Sequence, residues 1–186
     1  MLSQLEQLDQ QLFLWLNGHH SPFWDPIWGA ITGKLTFIPL YLLLMGYLLW
    51  RHRWQGLVMI VVMVVAVVAA DQFTSAFMKP FFARPRPCHE PNLAGLVHTL
   101  NHCGGKYGFA SSHAANTFAL ATFAWLLLRK NLRWIWLAFV WAAIVSYSRI
   151  YVGVHYPADI MIGGTVGAIL GWWGYWGLRR MGFAKG

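Results

Sequence analysis

The chain has 186 residues, 58% hydrophobic and only 11% charged, less than half the roughly 25% charge of a soluble domain. That balance excludes a soluble globular class, and with about 20 residues needed per membrane helix the length holds five or six spans and no separate extramembrane domain. The formal net charge of +8 does not signal nucleic acid, because the basic residues form no solvated stripe between aromatic platforms.

Twelve tryptophans fit a membrane interface, which satisfies both an apolar ring body and a polar N–H. The first twenty residues carry Glu6 and Asp9, lack a basic start and hold no long apolar run. No cleavable signal peptide is expected, so the spans themselves direct insertion. From residue 3 to 17, Leu5, Leu8, Leu12, Phe13 and Leu16 share one helical stripe against Gln4, Glu6, Asp9 and Gln10, the pattern of an amphipathic helix lying in the interface. Gly18 to Pro22 break it, and an irregular lead-in loosened by Gly29 and Gly33 precedes a first span at 35–50. The second span, 57–78, is uniformly apolar at its centre, and Pro80 is expected to end it. Residues 80–111 have no hydrophobic period and form a folded exterior loop. Three further spans are expected at 113–128, 132–150 and 158–178, the last carrying a small-residue face of Gly163, Gly164, Gly167, Gly171 and Gly174 for close helix approach.

Charge sets the sidedness. The loops with Arg51 and Arg53 and with Arg129, Lys130 and Arg133, together with the tail bearing Arg179, Arg180 and Lys185, hold eight of the fourteen Lys and Arg residues and no acid. That side, including the C-terminus, is expected to be cytoplasmic. With five alternating spans, three polar clusters then meet at the exterior face: Lys79 to Pro87, Ala110 to His113, and Ser148 to Asp159. Three cations, Lys79, Arg86 and Arg149, converge with two histidines and a carboxylate, a mixture suited to an anionic ligand.

These clusters resemble the three motifs of the type 2 phosphatidic acid phosphatase family, membrane lipid phosphatases related to vanadium haloperoxidases. The spacing K-x6-R-P is met by Lys79, Arg86 and Pro87, and S-R-x5-H-x3-D by Ser148, Arg149, His155 and Asp159. P-S-G-H is met in Ser111 and His113, with Ala110 and Ser112 where Pro and Gly are usual. The resemblance spans about residues 57–178. It implies an all-α polytopic bundle acting as one phosphatase domain.

The resemblance further implies His155 as nucleophile, since a neutral imidazole can form a phosphohistidine. Asp159 would fix its tautomer, and His113 would serve as general acid and then base. Lys79, Arg86 and Arg149 would hold phosphate oxygens, aided by Ser111, Ser112 and the N–H groups opening the third span. Three fixed cations neutralise charge without a metal, so no metal or other cofactor is expected.

Other residues keep alternatives. Arg84 reads as a surface charge, with an auxiliary substrate contact as its rival. Asp71, inside the second span, reads as a structural hydrogen-bonding group to a neighbouring helix, with function as the rival. Cys88 and Cys103 enclose fourteen residues of the exterior loop, and a disulfide there would contribute about 3 kcal/mol. Its rivals are free thiols and a metal site with His89, His98 and His102, whose spacing follows no zinc pattern.

The expected function is hydrolysis of a lipid phosphate or diphosphate, leaning to undecaprenyl diphosphate, at the outer face of the cytoplasmic (inner) membrane. The lipid head group would enter laterally, past Phe81, Phe82 and the amphipathic helix, while its tail stays between helices. The expected partners are that lipid and the bilayer, with no nucleic acid and no obligate protein. A phosphotransferase using the same phosphohistidine and a small transport or assembly protein are the alternatives.

Overall fold

The computed structural model describes residues 2–33, 35–100 and 103–184; His102 and Lys185 lie outside them. Among the described residues the chain is helical, without a strand beyond one isolated bridge between Pro85 and Tyr107. The elements in order are α1 (Leu2–Asn17), α2 (Asp25–Ile31), α3 (Ile38–His52), α4 (Trp54–Gln72), a π-helical turn (Phe73–Met78), α5 (Lys79–Phe82), α6 (Ser112–Leu128), α7 (Leu137–Tyr151) and α8 (Pro157–Arg180).

The expected helices all form, with shifted boundaries. The apolar stretch at 132–136 is a series of turns, and α7 starts only at Leu137. Pro80 does not end the second long helix, which runs unbroken from Trp54 to Phe82. A proline inside an α-helix lacks a donor and collides with the preceding turn. Here that turn is widened to π pitch, the Lys79 N–H reaching back to the Thr74 carbonyl, and the helix stops only at Ala83, which has a left-handed φ of 47°.

The α4–α5 helix is the one helix among the described residues both long and apolar enough to cross a bilayer by itself, at 29 residues. Only 28% of its most apolar window is buried inside the protein, so its apolar surface faces outward. Helices α3, α6 and α7 have 15, 17 and 15 residues, short of the roughly 20 that fill a hydrocarbon core. Helix α8 has the length, 24 residues, but not the apolarity. The expected five crossings are therefore not set by helix dimensions.

Helix α6 sits centrally, packed against α4, α7 and α8, with α3 leaning on α4 and with α1 and α2 against α7. Its alanines let neighbours approach, and the small face expected on α8 meets them: a Cβ on Gly163, Gly167 or Gly171 would lie 2.4, 2.1 or 2.3 Å from the carbonyls of Ser111, Ala115 and Ala119. Along α1, Leu5, Leu8, Leu12 and Trp15 are exposed while Phe13 is fully buried against Tyr156. Two of its polar residues face inward. Asn17 is buried, its amide shared among the carbonyls of His98, Ile150 and Tyr151 at 2.9–3.0 Å while its oxygen accepts the His98 N–H at 2.8 Å. Asp9 turns towards α8, accepting the Ala158 N–H at 2.9 Å.

Candidate active site

The α6–α8 seam brings two of the sequence clusters together. Ser111 caps α6, its Oγ accepting the Ala114 N–H at 3.5 Å, and its own N–H donates to the Asp159 carbonyl at 2.9 Å. The start of α6 is thus tied directly to the first turn of α8. None of residues 110–112 has a positive φ, so Ala110 and Ser112 fit where the motif usually has Pro and Gly.

The turn from Val152 to Tyr156 is buried throughout. Gly153 has a φ of 75°, and a Cβ there would meet the His98 carbonyl at 2.6 Å, so both conformation and space require glycine. Beyond it, His155 Nδ1 lies 3.3 Å from Asp159 Oδ2, which also accepts the Tyr156 N–H at 3.0 Å. Both side chains are buried, His155 at 2% and Asp159 at 0% exposure. Burial, opposed by the bond to Asp159, lowers the His155 imidazole from 6.5 to about 4, so the ring is neutral at physiological pH.

Above this pair opens a cavity of about 580 Å³, lined by Lys79, Arg86, Arg149, Ser112, His113 and His155 among others. Each cation is held differently. Lys79 Nζ donates to Ser112 Oγ at 2.6 Å, and the same hydroxyl accepts from Thr74 Oγ1 at 3.0 Å. Arg86 Nε donates to the Tyr107 carbonyl at 3.3 Å, where residues 84–86 run beside 106–108. Arg149 Nη1 donates to Thr32 Oγ1, while its buried Nε has no partner among the described residues. Burial weighs on the Arg86 charge and lowers its pKa, with Asp159 opposing. An anionic ligand would relieve this crowding of desolvated cations.

Not every expected contact reaches the cavity. Ser111 does not line it: it is fully buried, and its hydroxyl is spent on the helix cap. Asp159 does not line it either, and meets it through His155. Arg84 is not a surface charge, since it pairs with Asp159 at 3.1 Å and Asp9 at 2.7 Å with its side chain 17% exposed. Burial works against its charge, but the two carboxylates outweigh that cost and raise its pKa. Asp71 accepts from Asn116 Nδ2 at 3.0 Å across the α4–α6 contact, the expected interhelical bond, and it also borders the cavity.

Phe81 and Phe82 do not line the cavity. Its lining instead includes Ile31, Thr32 and Gly33 at the end of α2 and Phe37 and Tyr41 at the start of α3. Ile31, Thr32 and Gly33 belong to the expected lead-in and Phe37 and Tyr41 to the expected first span, and no motif marks any of them. Cys88 and Cys103 form a disulfide with Cα atoms 6.1 Å apart, and among the described residues no His, Cys, Asp and Glu group is placed to hold a metal. The bridge brings Gly104 against the Arg86 guanidinium, 3.8 Å from where a Cβ would stand.

Residues 56–182 match the PAP2 superfamily. The chain is 41% identical over 92% of its length to a lipid A 4'-phosphatase of Bacteroides thetaiotaomicron, covering 77% of that protein. It is 37% identical over 89% of its length to the lipid A 4'-phosphatase of Porphyromonas gingivalis, covering 70% of it. Among solved structures it is similar to a PAP2-type phosphatidylglycerolphosphate phosphatase of Bacillus subtilis, with a TM-score of 0.72 and 21% identity over 95% of this chain and 87% of that one. It is also similar to LpxE of Aquifex aeolicus, with a TM-score of 0.65 and 24% identity over 88% of this chain and 92% of that one. Both likenesses concern the fold. The matched segment carries all three motifs, and both of these well-covered relatives are named lipid A 4'-phosphatases: the chain belongs to the PAP2 superfamily and is a phosphatase, a hydrolase of lipid phosphates in a membrane.

Proposed function

We propose that the protein is a metal-independent lipid phosphatase that works through a phosphohistidine at His155, with a phosphorylated glycolipid of the lipid A type as its first substrate. The convergence of Lys79, Arg86 and Arg149 on a cavity floored by a carboxylate-backed histidine carries this reading. The cations hold the nonbridging phosphate oxygens. Asp159 engages Nδ1, which leaves Nε2 to attack phosphorus. The bond from phosphorus to the lipid oxygen breaks, and His113 gives that oxygen a proton. His113 then takes a proton from water, whose oxygen attacks phosphorus, and the P–N bond to His155 breaks to release inorganic phosphate.

Two apolar grooves of about 290 and 320 Å³ flank α3, both lined by Tyr41 and Leu44. Tyr41 also borders the phosphate cavity. A lipid can therefore keep its chains between helices while its head group meets the cations. In a bilayer the fold would cross five times with α1 in the interface, the site facing the exterior of the inner membrane and the C-terminus cytoplasmic. Two relatives named lipid A 4'-phosphatase support the glycolipid. Undecaprenyl diphosphate is the second reading, supported by shorter likenesses such as 36% identity over 78 residues to an undecaprenyl-diphosphatase of Sulfolobus acidocaldarius.

The test is phosphate release by purified protein in detergent with EDTA, from lipid A and from undecaprenyl diphosphate, for wild type and His155→Ala. Wild-type release with lipid A preferred, and none from the variant, is expected. A preference for undecaprenyl diphosphate would reverse the substrate order. Activity lost to EDTA, or kept by His155→Ala, would overturn the mechanism.

A further inference from the structure

Arg84 belongs to none of the three motifs and does not line the cavity, yet it bridges two carboxylates from opposite ends of the chain. Its Nη1 donates to Asp159 Oδ1 at 3.1 Å and its Nη2 to Asp9 Oδ2 at 2.7 Å. The guanidinium lies over the Tyr156 ring, 4.0 Å from the centroid. Asp9 closes the circle, since its other oxygen accepts the Ala158 N–H in the first turn of α8.

The carboxylate of Asp159 is thereby fixed from both sides. One oxygen faces His155 and the Tyr156 N–H, and the other is held by Arg84. A wholly buried carboxylate is costly unless paired, and a planar fork can bind two acids at once where an ammonium supplies only a point charge. Phe13 of α1 also meets Tyr156, edge to face with ring centroids 5.3 Å apart, so the same helix that supplies Asp9 packs against the ring under the guanidinium.

We propose that Arg84, braced by Asp9 of the N-terminal helix, is the positioning residue that aims Asp159 at His155, which makes the docked α1 a working part of the active site. The proposal rests on the reading of His155 as nucleophile with Asp159 as its orienting acid. Arg84 acts through Asp159 and never touches substrate. Its removal changes the rate of the chemical step and leaves substrate binding as it was.

The experiment is steady-state kinetics on a lipid phosphate in detergent for Arg84→Gln, Arg84→Lys and Asp9→Asn, with each Arg84 change repeated in the Asp159→Asn background. Arg84→Gln is expected to lower kcat about 10–100-fold, by analogy with the groups that orient metal-ligating side chains, with KM within about 2-fold. Arg84→Lys should recover part of the loss and Asp9→Asn should fall between. In the Asp159→Asn background Arg84→Gln should cost little more, because the two changes disable one unit. Full activity in Arg84→Gln, a rise in KM in place of the fall in kcat, or additive losses with Asp159→Asn would overturn the proposal. If Arg84→Gln does not fold, Asp9→Asn and Arg84→Lys decide it by the same kcat and KM split. His155→Ala separates the two readings: activity in that variant sinks the nucleophile assignment, whereas an inactive His155→Ala beside a fully active Arg84→Gln sinks only the positioning role.

Discussion

Gly163 stands one turn beyond Asp159 on α8, against the residue that caps α6. A methyl group there would lie 2.4 Å from the Ser111 carbonyl oxygen, with the Ser111 carbonyl carbon and amide nitrogen each at 3.2 Å. Ordinary contact begins at 3.4 Å, so the backbones must part by about 1 Å. Overpacking of this kind costs about 1–3 kcal/mol. The displaced segment carries Ser112 and His113, and a misplacement of about 1 Å at reacting groups costs on the order of 100-fold in rate. Gly163→Ala is thus expected to lose activity far beyond its loss of stability. Gly167→Ala meets the Ala115 carbonyl at 2.1 Å but one turn deeper, so its stability cost should match or exceed that of Gly163→Ala while its kcat falls less. Gly177, on the same helix with nothing within 4 Å of where a Cβ would stand, supplies the control: Gly177→Ala should gain up to about 1 kcal/mol from helix propensity. The assay pairs thermal unfolding in detergent with phosphate release. Equal kcat in Gly163→Ala and Gly177→Ala would refute the claim that the α6–α8 seam sets the geometry of the site.

The burial of His155 makes a pH prediction. Its imidazole titrates at about 4 in place of 6.5, so trapping of substrate phosphate on His155, quenched in alkali, should persist at about pH 5, where an ordinary histidine is mostly protonated. The unfolded chain takes up this proton below 6.5 and the folded protein only near 4. The stability is therefore fully present above 6.5 and is lost as pH falls through that window. Unfolding temperature should drop across it, less so in His155→Gln, and label lost on going from roughly pH 7 to 6 would contradict the neutral buried ring. Reduction of the Cys88–Cys103 bridge should cost about 3 kcal/mol. Because the bridge sets Gly104 beside Arg86, Cys103→Ala should raise KM for the lipid phosphate more than it lowers kcat, and an unchanged KM would remove that link.

The membrane character, the helical segments and the three clusters are legible in the sequence because they depend on composition and on spacing along one chain. Lys79 to Arg86 and Arg149 through His155 to Asp159 are local patterns, although His155 and the extended Tyr156 precede α8, so the His155–Asp159 pair meets across a helix start and not along one helical face. The small face of α8 is equally local, five of the six glycines of one helix. Pro80 misleads because its usual effect assumes α-helical pitch, and the π turn before it removes the collision.

Long-range partnerships are a different matter. Arg84 looks like a surface charge until Asp9, 75 residues before it, and Asp159, 75 residues after it, are seen to share its guanidinium. Asp9 looks like the solvated side of an amphipathic helix, and Thr32 like a loop residue, until each meets a half-buried polar group. Ser111 and Ser112 are adjacent and chemically alike, yet one caps a helix and the other faces the cavity. Composition and period decide which segments become helices, since burial and backbone pairing act locally. Which polar side chain satisfies which depends on how those helices pack, and only the tertiary structure decides that, because a buried charge is stable only where its partner stands.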